Sequence, residues 1–152
     1  MTEVPVRPFT IVVGVDGSPN GQLAFDWAVA EARAHQGRLR VIEAWSTPYN
    51  WQLEPMFPVN VEQVREAAEH RLDQSLHAAQ ARDLEVHSEL VEGEPGPILV
   101  EAAREADLLV VGARGHSTLV QLLMGSVSTF CAHHATCPVV IVPARRPTES
   151  RP

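Results

Sequence analysis

The chain has 152 residues, of which 45% are hydrophobic, the size and composition of one soluble globular domain with a buried core. Its net charge of -7 argues against nucleic acid and anionic membranes as partners. All twelve basic residues are arginine, and the absence of lysine excludes both a lysine-containing P-loop and Schiff-base chemistry.

The first third of the chain predicts a strand, a helix and a second strand. Residues 9–15 are apolar and β-branched, which predicts a buried strand. Ser18 followed by Pro19 is typical of a helix start, and Gly37 is predicted to be the C-cap of that helix. Helical spacing predicts that the inner face of this helix is formed by Leu23, Trp27, Ala30 and Ala34.

The middle of the chain continues the alternation. A second strand is predicted over 38–45, followed by a long loop over 46–60 that is rich in proline and aromatic residues. The longest predicted helix follows, with apolar residues at helical spacing: Val61, Val64, Ala68, Leu72, Leu76 and Ala79. Strict alternation over 84–91 then predicts a half-exposed or edge strand.

The last third predicts two further strands. Glycine and proline over 93–97 predict a break, before a short helix that carries Ile98, Leu99, Ala102 and Ala103. A fourth strand is predicted over 107–112, then a helical stretch, then a fifth strand over 138–142. The polar segment 144–152 is predicted to be a disordered tail after a core over 9–143.

Strand–helix alternation predicts an α/β fold in which parallel strands are joined by right-handed crossovers, with helices on both faces of the sheet. Ligands of such sheets bind beyond the carboxyl ends of the strands, where the strand order switches. If the first and fourth strands are neighbours, Asp16 faces the glycine-rich loop that begins at Gly112. We expect that arrangement to bind a nucleotide.

The glycine-rich loop carries the strongest functional signal. Gly112, Gly115 and Gly125 follow an apolar strand, and Ser126 comes directly after the last glycine. Spaced glycines before a helix start let backbone N–H groups approach a phosphate closely. The alternative is a tight turn that only packs a helix against a strand.

Individual residues near this loop admit two interpretations each. Asp16 is expected to contact the ligand or Mg²⁺, or else to be a turn residue bonded to its own backbone. Ser126 is predicted both to cap a helix and to contact phosphate. Arg114 and His116 either supply positive charge to phosphates or are solvated loop residues.

Two further groups favour structural interpretations. The spacing of Cys131, His133, His134 and Cys137 matches no usual zinc pattern, so we expect the cysteines to be small buried residues. The aromatic residues Trp45, Tyr49 and Trp51 are predicted to fill a core or a dimer contact, the alternative being stacking on a bound base.

These motifs resemble the universal stress protein family. The family's nucleotide signature, G-x2-G-x9-G-[ST], is matched by Gly112, Gly115, Gly125 and Ser126, and further landmarks occur at 13–18, 125–128 and 134–139. The resemblance covers residues 9–143 and implies a single Rossmann-like three-layer α/β/α domain with a five-stranded parallel sheet in the order 3-2-1-4-5. His116 and Ser117 depart from the residues that are common in relatives.

The resemblance also implies a ligand and an assembly. ATP is held by the glycines and by 126–128 (Ser126, Val127 and Ser128), while the backbone of Ala44 meets adenine. Asp16 lies near the ribose and the Mg²⁺-bound phosphates. The family forms dimers through the last strand, and pairing 139–142 with its symmetry mate would also cover an apolar edge.

The predicted function is therefore that of an ATP-binding, dimeric regulatory module. We expect a cytoplasmic location, because the sequence has only two cysteines, no apolar run of about 20 residues and no beginning that resembles a signal peptide. One alternative is a slow ATP hydrolase or phosphotransferase, for which His116 is the only plausible proton acceptor in the loop. Another is a dimeric partner-binding module that takes a different ligand, such as a cyclic nucleotide.

Overall fold

The computed structural model describes residues 6–47, 59–115 and 124–144. Within those ranges the chain forms five strands and four helices, in the order β1 Thr10–Gly14, α1 Pro19–Ala34, β2 Arg38–Trp45, α2 Val61–Ala79, β3 Glu85–Glu92, α3 Pro95–Ala102, β4 Leu108–Gly112, α4 Ser126–His134 and β5 Val139–Val142. A short 3-10 turn, Ala103–Glu105, follows α3. All five predicted strands are therefore present, with bounds that differ by at most one residue.

The strands form one parallel sheet in the order β3-β2-β1-β4-β5, as predicted. β1 and β4 are neighbours, with Ile11 opposite Leu108 and Val13 opposite Val110. β3 is an edge strand whose side chains are half-buried or exposed, which confirms the interpretation of its alternating pattern.

Alternate side chains of the buried strands enter two separate cores. Ile11 and Val13 pack with α1 and α2 on one face of the sheet. Val12 packs on the other face with Leu99 of α3 and Cys131 of α4. Because side chains of a strand alternate between its two faces, central strands covered by helices on both sides are apolar throughout. These layers confirm the predicted three-layer architecture.

The predicted inner face of α1 is wrong. Trp27 is 36% exposed, Ala30 and Ala34 are exposed, and Leu23 is only half-buried. The buried face is a different helical stripe, formed by Asn20, Gly21, Ala24, Phe25, Ala28, Val29 and Ala32. Both stripes repeat at helical spacing. The buried stripe consists mainly of small residues, which let the helix approach the sheet closely, together with the large side chain of Phe25.

Gly37 does not end α1 as predicted. The residue in the left-handed conformation is Gln36, with φ 50°, and the cap residue is His35. The N–H of Gln36 donates to the carbonyl of Arg33 and the N–H of Gly37 to that of Ala32, which together form a Schellman motif.

α3 begins earlier than predicted. Pro95 is its first residue, so Gly96 and Pro97 lie in its first turn instead of forming a break. Proline is tolerated there because the first N–H groups of a helix have no partner within the helix. None of the helices in the described ranges has the length and hydrophobicity needed to cross a bilayer.

Candidate functional site

A cleft lies beyond the carboxyl ends of β1, β2 and β4, where the strand order reverses direction. β1 is followed by α1 and leads to β2 on one side, while β4 is followed by α4 and leads to β5 on the other. The two central strands therefore diverge into loops on opposite sides of a crevice. The cavity between these loops has a volume of about 240 Å³.

The loop after β1 is held in shape by Asp16. Its Oδ1 accepts hydrogen bonds from the N–H of Ser18 at 2.9 Å and from the Ser18 hydroxyl at 2.5 Å. The Ser18 hydroxyl oxygen in turn accepts the N–H of Gly21 at 3.0 Å, which makes Ser18 the N-cap of α1 as predicted. Gly17 between them has φ 77°, a conformation that favours glycine. Asp16 is therefore a turn residue, and its Oδ2 lies toward Gly115 of the glycine loop.

The glycine loop after β4 approaches this first loop closely. A Cβ built on Gly115 would lie 2.5 Å from Oδ2 of Asp16, so a side chain at this position would have to displace the Asp16 carboxylate. The two predicted site residues thus meet across the crevice, as expected if β1 and β4 are neighbours. A Cβ built on Gly112 would likewise lie 3.1 Å from Cγ of Asn20.

The start of α4 closes the far side of the cleft. Its N-cap is Gly125, so Ser126 is the first helical residue and not the cap that the sequence predicted. A glycine cap has no side chain to accept the free N–H groups at the helix start, which leaves those N–H groups available to an anion. The buried Ser128 hydroxyl is bonded internally, to the carbonyl oxygens of Ala113 at 3.0 Å and Gly125 at 3.1 Å.

Charge in the described part of the cleft comes from two side chains, one of each sign. Asp16 supplies the carboxylate and Arg114 the guanidinium. In the described part of the chain, Nε of Arg114 is buried and meets no hydrogen-bond acceptor. Because an unpaired buried donor is costly, this atom favours an anionic ligand.

The end of β2 forms the inner wall of the cleft. The β1–β2 ladder ends where the N–H of Val15 donates to the carbonyl of Ile42 at 3.0 Å. In a parallel sheet, the N–H and C=O of one residue both point to the strand on one side, and those of the next residue point to the strand on the other side. The N–H and C=O of Ala44, two residues on, therefore point toward the space that β1 vacates. Pro95 and Leu99 of α3 provide an apolar surface beside them.

One residue of the site was missed by the sequence analysis. Asn20, in the first turn of α1, is only 6% exposed, and its carboxamide bonds to both the glycine loop and the end of β5. The available signal was a polar residue on what proved to be the buried stripe of α1.

A buried ion pair next to the first loop was missed as well. Glu43 of β2 is fully buried, and its Oε1 accepts from Nε of Arg71 at 2.9 Å and lies 2.8 Å from its Nη2. Arg71 belongs to α2, and its Cδ would lie 2.6 Å from a Cβ on Gly17. The pair therefore fastens α2 to β2, next to the loop that follows β1.

Nine of the ten predicted ligand-binding residues line this one cleft, and their role in binding stays a prediction. They are Asp16, Ala44, Gly112, Arg114, Gly115, Gly125, Ser126, Val127 and Ser128. The tenth, His116, lies outside the described residues, as do Tyr49, Trp51 and most of the predicted loop and tail. Trp45 is half-buried at the end of β2.

The cysteine and histidine residues of α4 lie away from the cleft. Cys131 is fully buried, and burial, with the nearby Cys137, raises the pKa of its thiol to about 11. Burial also raises the pKa of Cys137. Such thiols are protonated at neutral pH, which makes them weak nucleophiles and metal ligands. Across the described ranges, no three His, Cys, Asp or Glu side chains converge as a metal site would require.

Comparisons with known proteins agree on one family. The model of the universal stress protein family matches residues 9–143. Universal stress protein Rv2623 of Mycobacterium tuberculosis is 34% identical over 138 residues, which cover 87% of this chain and 46% of that protein. The chain thus spans about half the length of the curated relatives that it matches.

Solved structures with the same fold include two nucleotide complexes. A universal stress protein in complex with cAMP is 30% identical, with a TM-score of 0.68, over 89% of this chain and 97% of that one. A universal stress protein family protein from Arabidopsis thaliana with AMP bound is 20% identical, with a TM-score of 0.63, over 93% and 97% of the two chains. The second likeness supports the fold alone.

Proposed function

The chain belongs to the universal stress protein family, and from that premise we propose that it binds an adenine nucleotide, specifically ATP with Mg²⁺, as a dimeric cytoplasmic regulatory module. One observation carries the proposal. The backbone of Ala44 and the glycine loop with the start of α4 line opposite ends of one cleft. That separation suits a ligand with a base at one end and phosphates at the other.

The base end is supported by backbone groups and an apolar wall. The N–H and C=O of Ala44 supply one donor and one acceptor, which suit the hydrogen-bonding edge of adenine. Leu99 packs against the base plane from the side of α3, and Gly14 permits it, since a Cβ there would lie 2.6 Å from Cδ1 of Leu99. The complex of a 30% identical relative with cAMP is consistent with an adenine ligand here.

The phosphate end is supported by donors and one cation. The N–H groups of Gly115, Ser126 and Val127 and the guanidinium of Arg114 surround the outer part of the cleft. Each hydrogen bond to a charged phosphate is worth about 1.5–3 kcal/mol. Three or four such bonds, less the cost of immobilising the ligand, correspond to micromolar affinity.

The carboxylate of Asp16 fits a magnesium ion that is held mainly by phosphates. Its Oδ1 is engaged with Ser18, and its Oδ2 lies toward the glycine loop. Mg²⁺ commonly takes one or two carboxylates together with phosphate oxygens and water. When bound, the ion would neutralise phosphate charge, and Asp16 would hold it near the first loop.

Calorimetric titration tests the proposal directly. We expect ATP to bind with a micromolar Kd, and more tightly with Mg²⁺ than with EDTA, because the ion offsets the repulsion between Asp16 and the phosphates. AMP, cAMP and GTP are the comparison ligands. GTP should bind at least about 10-fold more weakly, since the Ala44 backbone presents the wrong pattern to its base. Tighter binding of cAMP than of ATP would overturn the choice of ATP, and the absence of heat with all four would overturn nucleotide binding.

The dimer is proposed through β5, which is an apolar edge strand. Its pairing with β4 uses the carbonyl oxygens of Pro138 and Val142, so the backbone groups of Val139 and Ile141 face the open edge. The free backbone N–H and C=O groups of such an apolar edge can pair with a second strand, and β5 of a symmetry-related copy would supply one.

Ile141→Pro tests this interface. Proline removes an edge N–H without removing a bond to β4, so we expect a folded protein that sediments as a monomer where the wild type sediments as a dimer. Ile141→Val is the matched control, because it trims the side chain and keeps the N–H. A wild-type monomer, or a dimer that survives the proline, would contradict the assignment.

A further inference from the structure

Asn20 joins three segments at the outer end of the cleft. Its Oδ1 accepts the N–H of Arg114 in the glycine loop at 2.7 Å. Its Nδ2 donates to the carbonyl oxygen of Val142, the last residue of β5, at 3.0 Å. Asn20 itself lies in the first turn of α1 and is 6% exposed, so water does not compete strongly for either bond.

The surroundings of Asn20 leave its carboxamide little freedom. The carbonyl oxygen of Val142 also accepts a hydrogen bond from the N–H of Ala113 at 2.8 Å. This one oxygen is therefore bonded both to the backbone of the glycine loop and to the Asn20 side chain. The Cβ position of Gly112 lies 3.1 Å from Cγ of Asn20. The loop is therefore held from behind at two successive residues, Ala113 and Arg114, and Gly112 before them has no room for a side chain.

These contacts decide which way the loop faces. Because the N–H of Arg114 is directed at Asn20, it points away from the cleft and is not a donor to phosphate. Fixing that peptide also fixes the starting direction of the chain at Gly115, which lies against the Asp16 carboxylate. A loop that is ordered before the ligand arrives loses less entropy on binding.

We propose that Asn20 is a positioning residue that holds the glycine loop in the phosphate-binding conformation by tying it to the end of β5. The inference deepens the proposed nucleotide site and rests on it for its effect on affinity. Asn20 touches no part of the base end, where Ala44 and Leu99 lie. Its contribution to affinity therefore depends on the presence of a phosphate group on the ligand.

Asn20→Leu tests the proposal, because leucine has nearly the same shape and can form neither hydrogen bond. We expect the affinity for AMP and ATP to fall about 10- to 100-fold, while that for adenosine, titrated by NMR, stays within about 2-fold. An equal loss for adenosine and AMP would mean a purely structural role and would overturn the proposal. Unchanged affinity for AMP and ATP would overturn it as well.

Amide hydrogen exchange gives a readout that needs no nucleotide. In the free protein, the Arg114 amide should lose its protection in Asn20→Leu and also in the smaller Asn20→Ala. Retained protection in both variants overturns the inference even if nucleotide binding is confirmed. If the wild type binds no nucleotide, the proposed function fails, and lost protection at Arg114 still supports the positioning of the loop.

Thr10→Val is the matched control for general loss of stability. Thr10 is equally buried, at 3% exposed, and its hydroxyl bonds to the carbonyl of Pro8 and to Arg38. It lies at the opposite end of the sheet from the cleft. Its removal should lower stability without changing the ratio of AMP to adenosine affinity or the protection of Arg114.

Discussion

Replacing Gly115 with aspartate is expected to abolish measurable ATP binding while leaving the chain folded. The new side chain would begin 2.5 Å from Oδ2 of Asp16, so two carboxylates would occupy the space between the loops. Like charges roughly 4 Å apart repel by about 4 kcal/mol at a partly screened protein surface. The same charge would face the incoming phosphates, and we expect a loss of at least about 100-fold in affinity.

Gly115→Asn separates charge from crowding, because asparagine has the size of aspartate without its charge. It should weaken ATP binding about 10-fold through displacement of Asp16, and its amide can donate to that carboxylate. Calorimetry measures the affinities, and circular dichroism verifies that both variants fold. Equal affinities for the two variants would show that no phosphate lies near Gly115 and would count against the site.

The glycine loop could be predicted from the sequence because the spacing of its glycines after an apolar strand is a local pattern. Gly112, Gly115 and Gly125 each lie where a side chain would contact backbone or a neighbouring polar group within 3.3 Å. Alternation of strands and helices then predicted a parallel sheet with helices on both faces, since parallel strands need crossovers. The order of the strands was implied by the resemblance to the universal stress protein family. The position of Asp16 opposite the loop followed from the adjacency of β1 and β4.

What could not be predicted depends on contacts distant in sequence. α1 has two apolar stripes, and only packing against β1 and β4 decides that Phe25 is buried and Trp27 is not. Asn20 bonds to residues 94 and 122 positions away, so nothing near it in the sequence indicates its partners. Glu43 appeared as one polar residue in a strand, and its partner Arg71 is 28 positions away.

Gly37 is another such case, and its replacement should have the largest effect on stability. A Cβ at this position would lie 2.4 Å from the carbonyl oxygen of Phe9. That oxygen cannot move away, because it accepts the N–H of Arg38 at 2.8 Å where β1 and β2 begin to pair. We expect Gly37→Ala to destabilise the protein by about 3 kcal/mol, seen in thermal unfolding as a decrease in Tm of roughly 6–12 °C.

The neighbouring variant Gln36→Gly distinguishes this cause from helix capping. Gln36 is the residue with positive φ, a conformation that costs a residue with a side chain about 1–2 kcal/mol. Glycine avoids this cost, but it loses about 0.5–1 kcal/mol more chain entropy on folding. The net effect should be a stabilisation of about 0.5 kcal/mol. If Gly37 were instead the left-handed cap, Gly37→Ala would cost only about 1 kcal/mol and Gln36→Gly would destabilise. Opposite signs at adjacent residues would therefore establish that this glycine is required by the close passage of β1 and not by the end of α1.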